Sequence, residues 1–278
     1  MRRKYITQIF PFLTPLRVAQ RKLFFYTAMR FDRHTYAKVL QNTMFPHKLF
    51  SADSGLYNTK TGFDMVYQEN KVFNLKLAAK TLNGLLIKPG ETFSLCLAMR
   101  YADKHTRYKD GLEVKYGKLG TSYGGGLCQM SNLLFWVFLH SPLTIVERHT
   151  HRVKDFPTMR GAEPEGVDAT VGEGWLDLKV KNETALTFQI AIEFDDTNIT
   201  GSLLTNNAIP FTYEIDGKDL SYFSLNNAVY QEISIYRREI AAHTHKTMSE
   251  RLLYKNLCLI KYQLPVGTEI QERGLLTA

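Results

Sequence analysis

The chain has 278 residues, with 35 Lys+Arg against 27 Asp+Glu and a formal net charge of +8. Seven of the cations (Arg2, Arg3, Lys4, Arg17, Arg21, Lys22 and Arg30) fall in the first thirty positions, which contain no acid, so the rest of the chain is nearly neutral. That distribution excludes a histone- or ribosome-like protein, whose phosphate contacts need cationic surface throughout the fold, and no nucleic-acid partner is expected.

The apolar fraction of 44% suits a folded globular body. Three widely spaced cysteines, Cys96, Cys128 and Cys258, form neither a disulfide framework nor a CxxC metal site. The longest apolar run is Leu133–Leu139, far short of the roughly 20 residues that span a bilayer. Pro11, Pro15, Arg17 and Arg21 interrupt any signal-peptide core. The sequence thus reads as cytoplasmic, with the inner face of the membrane as a peripheral location.

Residues 1–62 form a basic, aromatic N-terminal region. Pro15 opens a helix over Leu16–Arg30, with Arg17 and Arg21 stacked at i,i+4. It lies either on an anionic lipid interface or against the body with its cations in water. Residues 63–205 form the next unit. Asn70 is a candidate N-cap, and Val72, Leu75, Ala79 and Leu82 follow at helical spacing until Gly84 stops the helix. Strands are expected at Leu85–Lys88 and Thr92–Leu97, around a Pro89-Gly90 turn. Residues 101–120 read as polar turns. Cys128–His140 reads as a helix apolar nearly all round, hence central and buried. Leu143–His151 reads as a strand and 152–169 as a loop containing Pro157 and Gly161.

Leu176–Lys181 and Phe188–Phe194 alternate like half-buried strands, joined through Asn182-Glu183-Thr184 as a hairpin. Residues 206–278 form a β-rich extension, with strands expected near Phe211–Ile215, Val229–Tyr236 and Leu252–Tyr262. The expected fold class is α+β: a central buried helix on a mixed or antiparallel sheet, with a β-rich C-terminal part.

Candidate chemistry centres on Gly124-Gly125-Gly126-Leu127-Cys128-Gln129. Three glycines before a helix let backbone N–H groups converge, and the helix start adds partial positive charge. A cysteine there is expected to have a depressed pKa, with the 124–126 amides as an oxyanion hole and Gln129 beside a substrate. The plainer account is a small buried thiol with glycines that allow close packing. In Glu147-Arg148-His149-Thr150-His151, a strand would put Glu147, His149 and His151 on one face. Either histidine could serve Cys128 as base, with Asp168 as the orienting carboxylate. The His-x-His pair could equally hold a metal with Glu147 or Asp168, or simply be a charged strand end. Walker, GxSxG, HExxH, EF-hand and GxGxxG patterns are absent, and no cofactor is expected.

The blocks Pro89-Gly90-Glu91-Thr92-Phe93-Ser94, Gly124–Gln129, Glu147–His151 and Asp168-Ala169-Thr170-Val171 stand in this order. Together they resemble the VanW family, over about 63–205. The flanks Ile9–Leu13 and Met65–Ala79 are similar to it as well. The resemblance implies an accessory protein of glycopeptide resistance whose partners are cell-wall precursors or their enzymes, with no established molecular activity. Two further readings stand beside it: a cysteine-dependent amidase or transpeptidase on cell-wall peptides, and a metal-binding protein. The basic leader and the Cys128 region read as separate matters, one concerning location and the other chemistry.

Overall fold

The computed structural model describes residues 10–58, 62–115, 118–154 and 163–273. Arg2, Arg3, Lys4, Ile9, Pro157 and Gly161 lie outside the described residues. Chain order gives α1 (Thr14–Phe31), β1 (Thr35–Tyr36), β2 (His47–Gly55), α2 (Met65–Leu82), β3 (Leu86–Ile87) and β4 (Glu91–Ser94). Then come α3 (Leu95–Met99), β5 (Asp110–Lys115), β6 (Lys118–Tyr123), α4 (Leu127–Leu139), β7 (Thr144–Glu147) and β8 (Val153–Lys154). The last strands are β9 (Lys179–Lys181), β10 (Phe188–Phe194), β11 (Asn198–Thr205), β12 (Phe211–Leu225), β13 (Ala228–Ala241), β14 (Thr247–Ile260) and β15 (Ile270–Glu272).

The fold is α+β. One mixed sheet runs β1-β4-β9-β7, and an antiparallel sheet runs β2-β11-β10-β3. A third sheet, β15-β12-β13-β14-β8, holds the long C-terminal meander, and β5-β6 form a separate hairpin. Helix α4 sits among the three larger sheets, and Leu133–Leu139 are all buried. Phe138 meets Phe93 of the mixed sheet at 5.1 Å between ring centres. Trp136 meets Phe50 of the antiparallel sheet at 6.3 Å, and Phe135 meets Tyr254 of the meander at 6.1 Å. An all-apolar helix needs apolar neighbours on every side, and each sheet supplies one. Gly201 on β11 lets Leu133 sit against the sheet backbone.

Several expectations change. Asp64, not Asn70, caps α2, accepting the Val66 N–H at 2.9 Å. Asn70 lies inside the helix and donates to the Asp110 carbonyl at 2.8 Å. The strand expected over Thr92–Leu97 ends at Ser94, whose hydroxyl accepts the Leu97 N–H at 3.1 Å and so caps α3. The polar segment 101–120 contains most of a β-hairpin, pinned to α2 by buried Asn74, which pairs with both the N–H and the C=O of Lys109. The strand expected to reach His151 ends at Glu147.

The hairpin expected at 182–184 is not one. Strand β9 pairs with β4 and β7, whereas β10 pairs with β11 and β3. Buried Asn182 turns the chain between sheets: its Oδ1 accepts Thr184 N–H, and its Nδ2 donates to the Ile87 and Leu186 carbonyls. The meander strands were legible, but β12 and β13 run well beyond the apolar segments that announced them, and β14 starts five residues earlier than expected.

Candidate functional site

The glycine run lies where α2, the β5-β6 hairpin and α4 meet. Gly124 and Gly126 hold φ of +71° and +98°, which L side chains rarely adopt. A Cβ on Gly125 would overlap the Gly111 carbonyl of the hairpin. The amides of Gly124 and Gly125 donate to Lys109 O at 3.1 Å and Ser122 O at 2.9 Å. Two of the three amides expected in an oxyanion hole are therefore committed to the fold. Gln129 is committed too: its Nε2 donates to Ser54 Oγ at 2.8 Å and Gly55 O at 2.7 Å, stapling α4 to β2.

Cys128 lines a cleft of about 290 Å³ together with Gly124–Leu127, Tyr108, Tyr123, Val171 and Gly172. The cleft wall carries both signs of charge, Lys22 and Arg100 against Asp103, Glu113 and Glu173. Glu173 accepts the Tyr26 hydroxyl at 2.8 Å and pairs with Lys22. Asp103 accepts the Tyr123 hydroxyl at 2.7 Å, and Arg100 lies 3.9 Å over the Tyr26 ring. The buried Tyr108 hydroxyl has no hydrogen-bond partner among the described residues. Cys96, within the strand expected over Thr92–Leu97, sits on α3 and lines the same cleft.

The Cys128 thiol is pushed up by burial, and nearby Glu113 and Asp168 push it further, while the Val171 N–H partly offsets them. The position at a helix start therefore does not give the depressed pKa expected from sequence. Cys96 is raised well above the ordinary thiol range by burial and then by Asp177.

The histidines lie in a separate network. His151 Nδ1 pairs with Asp168 Oδ2 at 2.8 Å, one of the two carboxylate–imidazole pairings the sequence left open. His149 Nε2 instead pairs with Glu147 Oε1 at 2.9 Å, and Lys179 holds the other oxygen of Glu147 at 2.9 Å. With the strand ended at Glu147, the two imidazoles serve different carboxylates, and neither has Cys128 as hydrogen-bond partner. Among the described residues, no group of three or more His, Cys, Asp or Glu is placed to hold a metal ion.

Asp168 also accepts Thr150 Oγ1 at 2.6 Å, His151 N–H at 2.8 Å and Arg148 Nη2 at 2.9 Å. Burial alone would raise its carboxyl. The bond from His151, the charge of Arg148 and the bond from Thr150 outweigh that and hold it below the ordinary range. Arg148, passed over in the sequence, is the hub. It donates to Asp168 O, Gly166 O and Asn256 Oδ1 and stacks 4.2 Å from the Tyr254 ring. Ser131 and Asn132 of α4 bind the two backbone groups of Ala169, at 2.5 and 2.8 Å. The Thr170 N–H donates to His149 O at 2.7 Å.

Three of the four sequence blocks thus knit into one unit around α4: Gly124–Gln129, Glu147–His151 and Asp168–Val171. Such convergence of dispersed segments is what a shared family core looks like, and comparison decides which family. A family profile described as "VanW like protein" matches residues 70–204. Vancomycin B-type resistance protein VanW of Enterococcus faecalis is 53% identical over 272 residues, covering 98% of this chain and 99% of that protein. The chain belongs to the VanW family. Uncharacterized protein YoaR of Bacillus subtilis is 31% identical over 115 residues, 41% of this chain and 36% of that one. No solved structure gives a significant match.

In this VanW-family chain the cleft also draws on residues the sequence could not group. Lys22 comes from the basic leader, Arg100 and Asp103 from around α3, Tyr108 from the segment before the hairpin and Glu113 from the hairpin itself. The leader and the Cys128 region, read from sequence as separate matters, share one wall. Lys71 of α2 packs its stem against Gly126, and burial lowers its amine to about 8. No spacing rule joins these segments, so the sequence carried no signal for them.

Proposed function

We propose that the chain serves glycopeptide resistance by binding the peptide part of a cell-wall precursor in the Cys128 cleft, at the cytoplasmic side of the membrane. The resistance role is carried over from the Enterococcus faecalis relative, a vancomycin B-type resistance protein. The observation that carries the ligand class is the two signs of charge on the cleft wall: Arg100 suits a carboxylate and Asp103 and Glu113 suit an ammonium group, beside the Lys22–Glu173 ion pair. A stem peptide with a free carboxyl terminus and a diamino acid offers both. The glycines leave backbone, not side chain, at the cleft floor, where an extended peptide can approach closely.

Isothermal titration of the full chain with a nucleotide-linked muramyl pentapeptide tests this. The expected result is saturable binding, weakened about tenfold or more by Arg100→Gln through loss of a charge-assisted contact. Absence of heat, or binding of the sugar nucleotide without its peptide equally well, would reject the reading. Vancomycin susceptibility of a resistant host with and without the chain tests the role in the cell, and unchanged susceptibility counts against it.

A second reading keeps thiol chemistry, favoured by Cys128 at the start of α4 in an open cleft and by the His151–Asp168 pair. Cys128 would be nucleophile, and an imidazole would have to leave its present partner to reach it. Release of an amino acid from the muramyl peptide, abolished by Cys128→Ser, would establish it. An intact peptide after prolonged incubation would remove it.

A further inference from the structure

Helix α1 exposes large apolar side chains on the side that faces away from the protein. It packs inward through Arg21, Lys22, Phe25, Tyr26 and Met29. Polar contacts fix this orientation: Lys22 pairs with Glu173, Tyr26 donates to Glu173, and Arg21 lies 4.1 Å over the Trp175 ring. On the opposite side Leu16, Leu23, Phe24 and Phe31 are 69, 64, 61 and 75% exposed, with Phe12 of the preceding turn at 76%. Positions 16, 23, 24 and 31 recur at seven- and eight-residue steps, so they share one face of the helix, with exposed Gln20 and Thr27 between them. A helix on a soluble protein ordinarily reverses this arrangement, with its polar face in water.

Arg17 and Arg30 flank the stripe and are exposed, and the first acid of the sequence is Asp32. The helix has 18 residues, and no helix among the described residues is long and apolar enough to cross a membrane. We propose that α1 lies flat in the interface of an anionic lipid bilayer, with the Leu16–Phe31 stripe among the acyl chains and its arginines on lipid phosphates. A second copy of the chain is the weaker occupant, because it would bring two sets of uncompensated arginines together. Because Lys22 on the inner face is part of the cleft wall, lipid docking holds the Cys128 cleft beside the membrane.

Co-sedimentation of the full chain with vesicles tests the proposal, using phosphatidylcholine alone and phosphatidylcholine mixed with phosphatidylglycerol. The wild-type chain is expected to pellet with the anionic vesicles and to be released by salt. The double variant Leu23→Glu, Phe24→Glu is expected to bind about tenfold or more weakly, since two inserted side chains become anions. Arg17→Gln with Arg30→Gln is expected to fall between. All substituted positions are solvent-facing, so circular dichroism should stay unchanged and separates lost docking from lost folding. Three results would overturn the proposal: no pelleting of the wild type, equal binding of the Leu23/Phe24 variant, or equal binding to neutral and anionic vesicles. A lipid-free dimer that the same variant dissociates would assign the stripe to a second copy instead. No cleft side chain is altered except through α1 itself, so the outcome does not depend on what the cleft binds.

Discussion

Cys128 and Asp168 answer differently to one cause, removal from water. A thiol removed from water stays protonated, and the nearby carboxylates Glu113 and Asp168 add to that, so Cys128 is raised. Alkylation by iodoacetamide at neutral pH, followed by peptide mapping, is expected to modify Cys128 more slowly than free cysteine, with the rate rising above the ordinary thiol pKa. Faster modification than free cysteine would restore the activated nucleophile. Asp168 is also buried, but four donors and the Arg148 charge surround it, so its carboxyl lies below its ordinary 3.8. Its stabilising share is therefore complete above that value and is lost as the pH falls through the lower folded pKa. Buried Asp177, raised by its own burial, acts in the opposite sense and is relieved by protonation. Asp168→Asn leaves Arg148 without its counter-charge and is expected to cost about 3 kcal/mol in urea unfolding. The variant should also show a shallower loss of stability on acidification than the wild type. Cys128 and the Asp168–His151 pair were legible as residues worth attention. Arg148 was not, because a cation between Glu147 and His149 looks like solvent-exposed charge until its partners from β14 and the 166–168 turn arrive.

Among the elements, those announced by their own apolar residues came through: the all-apolar helix α4, the helix α2 with Val72, Leu75, Ala79 and Leu82 buried, and the strands of the meander. The elements that did not are defined by partners outside their own segment. The β5-β6 hairpin is polar in sequence and holds because Asn74 and the glycine run receive its backbone. Strand β9 leaves its neighbour in sequence because Asn182 satisfies the turn that redirects the chain. The glycine run was read as a cradle for a ligand, and it is at least as much a packing device. Gly125→Ala would drive a methyl group into the Gly111 carbonyl and is expected to cost about 2 kcal/mol or more, measured by thermal unfolding. A variant as stable as the wild type would mean that the hairpin does not rest on α4 as described.

Across the whole molecule, α4 and Arg148 bind the C-terminal meander to the rest. The apolar core is continuous from Ala37 to Ile235, and Phe135 and Arg148 reach Tyr254 and Asn256 beyond it. Calorimetry of the full chain is therefore expected to give a single cooperative transition, and two separated transitions would contradict a shared core. Removal of 206–273 should expose the α4 face at Phe135 and abolish that transition. The sequence by itself determined the α+β class, the buried helix, the family resemblance and the concentration of positive charge in the first thirty residues. The class, the helix and the charge follow from local periodicity and composition, which each segment carries alone, and the resemblance follows from the ordered motif blocks. Only the tertiary structure decided that Lys22 of that leader meets Cys128 in one cleft, that the two histidines serve separate carboxylates, and that α1 leaves its apolar stripe uncovered. Those facts depend on which distant segments share a surface, and burial against a partner is not written in the segment that is buried.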